Sequence, residues 1–183
     1  VKHYSQSLLD LVKAFDKAPH HHVVDAARRH GFNLWVVRMS ILTYRMTRYL
    51  GIDRVFSRGI VATRSLTAGS TFATAELRAI LITVGDAALA LAPEITRSLF
   101  VADITIEYEH VDELVVRTVI AETTDWFVEA LQDTLHMEVS ATKSVDVAGR
   151  CRLSRSIVLA SRTNKLVARR AFKLLGTPFR GWP

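Results

Sequence analysis

The pattern of hydrophobic and polar positions predicts both strands and helices. An apolar run at 8–12 and the alternation of Ile104, Ile106 and Tyr108 with polar neighbours are typical of strands, and residues 138–147 predict another. Apolar residues three or four positions apart predict helices over 23–30, 34–50, 71–91 and 111–135. The chain is therefore expected to be an α+β protein.

Turn and capping residues divide these segments. Gly31 predicts the end of the first helix. The segment 52–63 predicts a strand–turn–strand with Ser57, Arg58 and Gly59 at its turn, and Ser70 can cap the helix that follows it. In the helix predicted over 34–50, one face is an apolar stripe of Trp35, Met39, Leu42 and Met46. The other face carries Arg38, Arg45 and Arg48.

Length and composition narrow the class of protein. The 183 residues suit a single domain, and 49% hydrophobic residues supply a substantial core. The window closest to a membrane span, 77–93, contains Arg78, Gly85 and Asp86, so no transmembrane helix is predicted. Cys151 is the only cysteine, which excludes an internal disulfide and a multi-cysteine zinc site. Without a signal peptide or a first methionine, we expect an intracellular piece of a longer protein, or a decayed copy of one.

Charge is distributed unevenly along the chain. Residues 1–64 carry a net charge of +7, residues 65–142 carry −10 and residues 143–183 carry +9. Two basic ends around an acidic middle favour an electropositive rim around a cation site, with nucleic acid as the polyanionic partner. A solvated charged surface, or contacts with an acidic protein, explains the same counts.

An aspartate inside the first apolar run points to chemistry. An unpaired carboxylate in a buried strand costs several kcal/mol, so Asp10 is expected to have a partner or a metal ion. The stretch D-L-V-K-A-F-D-K-A-P-H, from Asp10 to His20, resembles the first catalytic motif of reverse transcriptases, especially those of non-LTR retrotransposons and group II introns. A strand followed by a turn, with Asp10 solvated, remains the alternative.

Further segments resemble later motifs of that family, in the same order. Ala68-Gly69-Ser70 before a helix resembles the second motif, although Ala68 stands where glutamine is usual. Lys143 follows a helix and a strand, as the lysine near the leaving pyrophosphate does in the family. Leu175-Gly176 resembles the primer-grip hairpin. The resemblance further implies that Leu11, Phe15, Gly69 and Ser70 bind nucleotide, with Phe15 as the gate against a ribose hydroxyl.

The most specific family motif, aromatic-x-Asp-Asp at a hairpin tip, is incomplete here. Aligning Phe100 with the aromatic residue places Ala102 at the first aspartate and Asp103 at the second. The resemblance implies catalytic roles for Asp10, Asp103 and Lys143, and Mg²⁺ or Mn²⁺ held by Asp10 and Asp103. Ala102 offers no side-chain oxygen, so we expect polymerase activity to be lost or severely reduced.

The resemblance also implies an architecture and partners. It predicts a ferredoxin-like polymerase palm, an antiparallel sheet with helices on one face, over one domain of residues 1–183. A finger helix pair is expected in an insertion at about 20–65, and a primer-grip hairpin is expected to start in 164–183, without upstream fingers or a thumb. Expected partners are dNTP and the backbones of RNA and DNA, in the nucleus or cytoplasm of a retroelement host. The nucleic-acid contacts predicted are Arg64, Arg150, Arg152, Arg169, Arg170, Leu175 and Gly176.

Two alternatives stay open. The chain is either a reverse-transcriptase-like enzyme by descent or a non-catalytic relic that serves as a structural or binding subunit of a larger complex, in which case it needs no metal cofactor. The triplet His20-His21-His22 suggests metal binding, but consecutive histidines do not share a helical face.

Overall fold

The structure, a computed structural model that describes residues 1–67, 69–174 and 177–180, contains a five-stranded sheet. The strands of this sheet lie in the order β4-β5-β1-β6-β7. They are β1 (His3–Leu9), β4 (Thr96–Phe100), β5 (Asp103–His110), β6 (Val145–Ala148) and β7 (Val167–Ala168).

The first four of these strands have the connectivity of a ferredoxin-like fold. Strand β1 pairs antiparallel with β5 on one side and with β6 on the other, and β4 pairs antiparallel with β5. Helix α4 (Ala73–Leu91) precedes β4, and helix α5 (Glu113–Glu129) connects β5 to β6. This βαββαβ order confirms the α+β palm-like class predicted from the sequence. Strand β7, which the sequence analysis did not predict, pairs parallel with β6, so the whole sheet is mixed.

Helices cover one face of the sheet. Helix α5 packs on β1 and β5, and helix α6 (Cys151–Ala160) packs on β6, on β7 and on α5. The side chains of β1 that alternate toward this face include His3, which contacts Glu113 of α5, and Leu9, which is fully buried. With Ile106 of β5, also fully buried, these side chains form the core beneath the helices.

The chain divides into two compact units. Unit 1 comprises residues 1–12 and 81–183, and unit 2 comprises residues 13–80. Unit 2 begins with the short helix α1 (Ala14–Lys17) and contains helices α2 (His20–Arg29) and α3 (Leu34–Tyr44), which pack on each other, and the hairpin β2 (Gly51–Ile52) and β3 (Val55–Phe56). The interpretation of 20–65 as a finger-like insertion stays a prediction.

Local signals explain where α2 and α3 end and begin. Gly31 has a φ of 70°, and the Phe32 N–H donates to the Ala27 carbonyl, as in a Schellman motif. The Asn33 side chain then accepts from the backbone N–H groups of Trp35 and Val36 and caps α3. The predicted glycine stop of the first helix is confirmed.

Three predicted boundaries were wrong. Helix α3 ends at Tyr44 rather than near residue 50. Only Val145–Ala148 forms a strand in the predicted segment 138–147, apart from an isolated bridge between Leu11 and Val139. The hairpin turns at Asp53 and Arg54, both with positive φ as a type I′ turn requires, rather than at residues 57–59.

Near the chain end, β8 (Ala171–Leu174) pairs antiparallel with β9 (Thr177–Arg180). This hairpin lies in the segment assigned by resemblance to the primer grip. Leu175 and Gly176, predicted to contact nucleic acid, lie outside the described residues, as does Ala68.

Candidate functional site

Asp10 directly follows β1 and is held by its own backbone. Its carbonyl accepts from the Ser140 N–H at 2.8 Å, and its N–H donates to the Ser144 hydroxyl at 3.0 Å. The sequence did not identify these two serines as supports. Because both backbone groups of Asp10 are bonded, the direction in which its carboxylate leaves the strand is fixed.

Asp103 lies beside Asp10 on the neighbouring strand. Leu9 pairs with Ile104, so continuing the antiparallel register places Asp10 opposite Asp103. Burial and the negative charge of Asp10 both raise the pKa of Asp103. The two carboxylates predicted to meet across adjacent strands are therefore close enough to interact.

The tip of the β4–β5 hairpin consists of Val101 and Ala102. Phe100 pairs with Asp103, which leaves these two residues as the turn. Val101 has a φ of 54°, an unusual conformation for a β-branched residue, found mostly where a turn requires it. The aromatic-x-Ala-Asp sequence thus forms a tight hairpin tip, with Ala102 immediately before the Asp10–Asp103 pair.

The donor atoms at this tip fit a single divalent cation only in part. Asp10 and Asp103 offer carboxylate oxygens, and the Leu11 carbonyl follows in the chain; all three are hard ligands of the kind that Mg²⁺ prefers. Ala102 contributes none. Among the described residues, no group of three or more His, Cys, Asp or Glu side chains is arranged to hold a metal ion. The residues present do not fit a two-metal site.

Lys143 lies in the turn that leads from Val139 to β6. Its side chain is exposed, and its backbone N–H donates to the Ser140 hydroxyl at 3.3 Å. The two serines that hold the Asp10 backbone flank this turn. The structure thus connects Lys143 to Asp10 through the backbone, without an ion pair between the lysine and either carboxylate.

In unit 2 the structure brings three predicted nucleotide-binding residues together. A pocket of about 360 Å³ is lined by Phe15, Gly69 and Ser70, together with Lys13 and Asp16. The Leu66 N–H donates to the Phe15 carbonyl at 2.8 Å, which links the two segments. Gly69 has a φ of 87°, which residues with a side chain rarely adopt, although a Cβ at this position would meet no other atom.

A buried polar cluster supports Ser70. The Tyr44 hydroxyl lies 3.0 Å from the Ser70 hydroxyl and 2.7 Å from a carboxylate oxygen of Glu76. Burial raises the pKa of Tyr44, and the Glu76 carboxylate raises it further. Tyr44 and Glu76 are almost fully buried, and the sequence analysis missed both. An acidic residue in the first turn of a largely apolar helix was the signal available.

The arginines predicted to contact nucleic acid are exposed but separated along the chain. Arg150 precedes α6 and pairs with Glu113 at 3.8 Å, and Arg152 lies on α6. Arg169 donates its backbone N–H to the Asp146 carbonyl. Arg64 is in unit 2, at a bridge to Pro19, and Arg170 is in unit 1 just before β8.

An acidic cleft occurs on the side of the sheet away from the helices. Glu107 and Glu109 alternate with the buried core residues of β5, and they line a cleft of about 470 Å³ with Glu94 and Tyr4. Gln6 donates to Glu107 at 2.7 Å. Burial and Glu107 both raise the pKa of Tyr4. This cleft repels a polyanion.

Two buried aspartates outside the predicted site also escaped the sequence analysis. Asp146 is fully buried on the helix-covered face, where one of its oxygens accepts from Ser5 at 2.9 Å and from Ser7 at 2.8 Å. Asp125 of α5 accepts from the Ser161 hydroxyl at 2.6 Å and from the N–H of Arg162 at 2.8 Å. In each case the donors are far away in the sequence, so spacing gives no signal.

The histidine triplet forms the first turn of helix α2. Pro19 is at the N-cap position, and the helix begins at His20. His20 is buried and its ring lies 2.9 Å from the Ser65 carbonyl. The His21 and His22 rings are 4.1 Å apart. His20 therefore connects α2 to the segment before Gly69.

Comparisons with known proteins relate the chain to one solved fold. No family model matches the sequence, and no curated protein matches it. In a comparison of structures, the chain is similar to apo telomerase from Candida tropicalis truncated from its C-terminal domain, with a TM-score of 0.62 and 8% sequence identity. The match covers 98% of this chain and 34% of that chain, so the chain spans about a third of the telomerase length.

This similarity defines a class of fold. The chain shares the fold of the part of the telomerase structure that it matches. At 8% identity the comparison establishes the fold alone. Among the residues that the structure describes, none of the helices has both the length and the apolar character needed to cross a membrane.

Proposed function

We propose that this chain is a nucleic-acid-binding domain descended from an RNA-directed DNA polymerase of retrotransposon type, with little or no polymerase activity. The observation that carries the proposal is the hairpin tip: Ala102 adjoins the interacting pair Asp10 and Asp103, at the place where the family motif requires a further aspartate. The telomerase-like fold supports the descent.

The chemistry of nucleotidyl transfer explains the expected loss. Two divalent cations, about 3.5–4 Å apart, stabilise the attacking and leaving oxygens in such reactions. Asp10, Asp103 and the Leu11 carbonyl would hold one Mg²⁺ or Mn²⁺ ion. Without a carboxylate at position 102 these residues cannot bridge a second ion. The pair therefore binds a cation weakly and does not assemble the full site.

The other family positions retain side chains suited to binding. Phe15, Gly69 and Ser70 share one pocket, where the ring would contact the sugar and the glycine backbone would lie against the base. Lys143, with its exposed ammonium group, would contact phosphate. Binding of a dNTP in the pocket of Phe15, Gly69 and Ser70, without efficient transfer, is the expected behaviour.

Contacts with the phosphate backbone of nucleic acid would come from the basic parts of the chain. The exposed arginines of 143–170 and Arg64 supply positive charge, whereas the cleft at Glu107 and Glu109 stays away from the polyanion. Ala102 also favours a second candidate function, a non-catalytic subunit of a larger nucleic-acid complex in the nucleus or cytoplasm. The two candidates share nucleic-acid binding and differ in catalysis.

Nucleic-acid binding is tested first. Fluorescence anisotropy with a labelled RNA–DNA primer-template should show binding whose affinity falls steeply between low and physiological salt. The Arg152→Ala variant should bind more weakly, while Arg162→Ala, whose guanidinium already pairs with Asp125 and Glu129, should change less. Binding that is absent at low salt would contradict the proposal.

Primer extension addresses catalysis separately. Wild type should not extend a primer above background with Mg²⁺ or Mn²⁺. Extension that Asp10→Asn abolishes would show that the enzyme is active and would refute the claim of lost activity.

A further inference from the structure

Helix α3 has its apolar stripe in solvent. The side chains of Trp35, Met39 and Met46 are 72%, 62% and 63% exposed, and Leu42 is 56% exposed. The side that packs into unit 2 is instead formed by Val37, Ser40 and Tyr44. The residues that give this helix its apolar period therefore do not form its core contact.

Further large apolar side chains are exposed in the segment after α3. The β2–β3 hairpin and the residues around it keep more large apolar side chains in solvent, all within unit 2. We define the α3 face as Trp35, Met39 and Leu42 of α3 and Met46 just after it, together with Tyr49, Leu50, Ile52, Val55 and Phe56. Single exposed apolar residues are common, but many within one short segment mark an interaction surface.

The charged residues in the segment that carries the α3 face are mostly arginines. Five exposed arginines accompany it, and Asp53 is the only acid between residues 35 and 61. The guanidinium group of Arg38 lies 5.7 Å from the centre of the Trp35 ring. The five arginines are Arg38, Arg45, Arg48, Arg54 and Arg58.

Two concave surfaces flank α3. One, of about 680 Å³, is lined by Trp35, Met39 and Thr43 with Phe72 from the segment before α4. The other, of about 280 Å³, lies between α2 and α3 and is lined by Val24, Leu34 and Leu42, among others. An amphipathic helix binds by laying its apolar face into a hydrophobic groove of this kind.

We propose that the α3 face binds an amphipathic protein helix whose apolar stripe is flanked by acidic residues. The aliphatic content of the face decides between protein and nucleic acid. Single-stranded nucleic acid is bound by stacking on aromatic rings and by backbone charge, and it gains little from Met39, Leu42, Met46 or Ile52. A protein helix buries those side chains, and its carboxylates meet the arginines. This inference does not rest on the proposed polymerase descent.

The test uses a synthetic peptide helix of about 18 residues, five turns long, with leucines along one stripe and glutamates elsewhere. Its affinity is measured by fluorescence anisotropy. The double variant Trp35→Gln, Met39→Gln should weaken binding by about tenfold or more. A peptide with lysine in place of glutamate should also bind at least about tenfold more weakly, because its charges face arginines.

Leu159→Gln is the matched control, since Leu159 is an exposed leucine on α6 in unit 1. It should leave peptide affinity unchanged. Because Trp35 and Met39 are exposed, thermal melts should also be unchanged; if the melt shifts, Arg38→Glu replaces the double variant and should weaken binding similarly.

Three outcomes overturn the proposal. In the first, wild type and the α3-face variant have the same affinity for the acidic peptide, whether measurable or absent. In the second, the variant weakens binding of a single-stranded oligonucleotide instead, which assigns the face to nucleic acid. In the third, sedimentation shows self-association that the variant abolishes, which assigns the face to a second copy of this chain with its acidic residues 65–142.

Discussion

The negative charge of Asp10, just after β1, raises the pKa of Asp103 at the start of the neighbouring strand β5. The antiparallel register brings the two residues opposite each other, and the Asp10 charge adds to burial in raising the pKa of Asp103. Two carboxylates held this close repel each other unless a proton or a cation lies between them. A change of charge at this pair should therefore alter the pKa of Asp103, and an added carboxylate should make stability depend on the metal concentration.

Asp10→Asn should lower the pKa of Asp103. Removing the like charge eliminates one cause of the shift, while burial remains, so the pKa should fall but stay above the ordinary value of an aspartate. Carboxyl carbon chemical shifts followed by NMR during a pH titration measure this directly. Asp133→Asn, which removes an exposed acid of unit 1, is the control and should leave the titration of Asp103 unchanged. An unchanged pKa in Asp10→Asn would mean that the two carboxylates do not interact.

Ala102→Asp should make the stability of the protein depend on Mg²⁺. The new carboxylate adds like charge beside Asp10 and Asp103, and a loss of about 1 kcal/mol lowers the Tm by roughly 2–4 °C in a chain of this size. A cation bound only by the folded state restores stability, by about 2.7 kcal/mol at 100 times its Kd. Thermal melts of wild type and variant, with and without Mg²⁺, give the comparison.

Ala102→Asn separates charge from size in this experiment. It introduces a side chain of similar volume without a negative charge and should show the weak Mg²⁺ response of wild type. If Ala102→Asp responds to Mg²⁺ no more than wild type does, position 102 is not a metal position, and the alignment of the hairpin tip with the family motif is wrong.

Local pattern predicted the centre of the sheet correctly. Ile104 and Ile106 alternate with polar residues because one side of β5 faces the helices, and that period needs no knowledge of the rest of the chain. The approach of Asp10 and Asp103 followed from the motif order. By contrast β7, two residues long and parallel to β6, carries too little sequence to show a period.

Periodicity also cannot show what covers an apolar stripe. The steps of three and four from Trp35 to Leu42 correctly predict a helix, yet these residues are exposed to solvent, whereas Tyr44 is buried. The burial of Asp146 could not be predicted from the sequence either, because its hydrogen-bond donors Ser5 and Ser7 are about 140 positions away in the chain. Partners so distant are set by the sheet and not by spacing.

Asp146→Asn should remove a pH dependence of stability. Burial raises the pKa of Asp146 to about 6, only partly offset by the hydroxyls of Ser154, Ser7 and Ser5. A carboxyl with a raised pKa contributes stability that is present below its ordinary pKa of 3.8 and is lost as the pH rises to about 6. The stability difference between variant and wild type should therefore shift by about 2 kcal/mol in favour of the variant between pH 4 and pH 7.

Denaturant unfolding at the two pH values measures the shift for Asp146→Asn. Asp25→Asn, at an exposed carboxylate beside Arg28, should keep the pH dependence of wild type. If Asp146→Asn also keeps it, the carboxyl is ionised throughout this range and the serine hydroxyls compensate fully for its burial.

Asp125→Asn should loosen the loop after α6 and should act with the opposite dependence on pH. Although burial opposes ionisation, donors from Ser161, Arg162 and Thr163 hold the pKa of Asp125 below its ordinary value, so its contribution to stability is present at neutral pH and is lost as the pH falls through the folded pKa.

An asparagine NH₂ at position 125 would face one of these donors and leave it unbonded, at a cost of about 2 kcal/mol or a Tm lower by roughly 4–8 °C. Hydrogen exchange should become faster at the Arg162 and Thr163 amides, which donate to Asp125 at 2.8 Å and 3.1 Å. Glu129→Gln is the control, because Glu129 pairs with the same Arg162 from an exposed position and should change stability little. Unchanged exchange at both amides in Asp125→Asn would show that the carboxylate does not hold this loop.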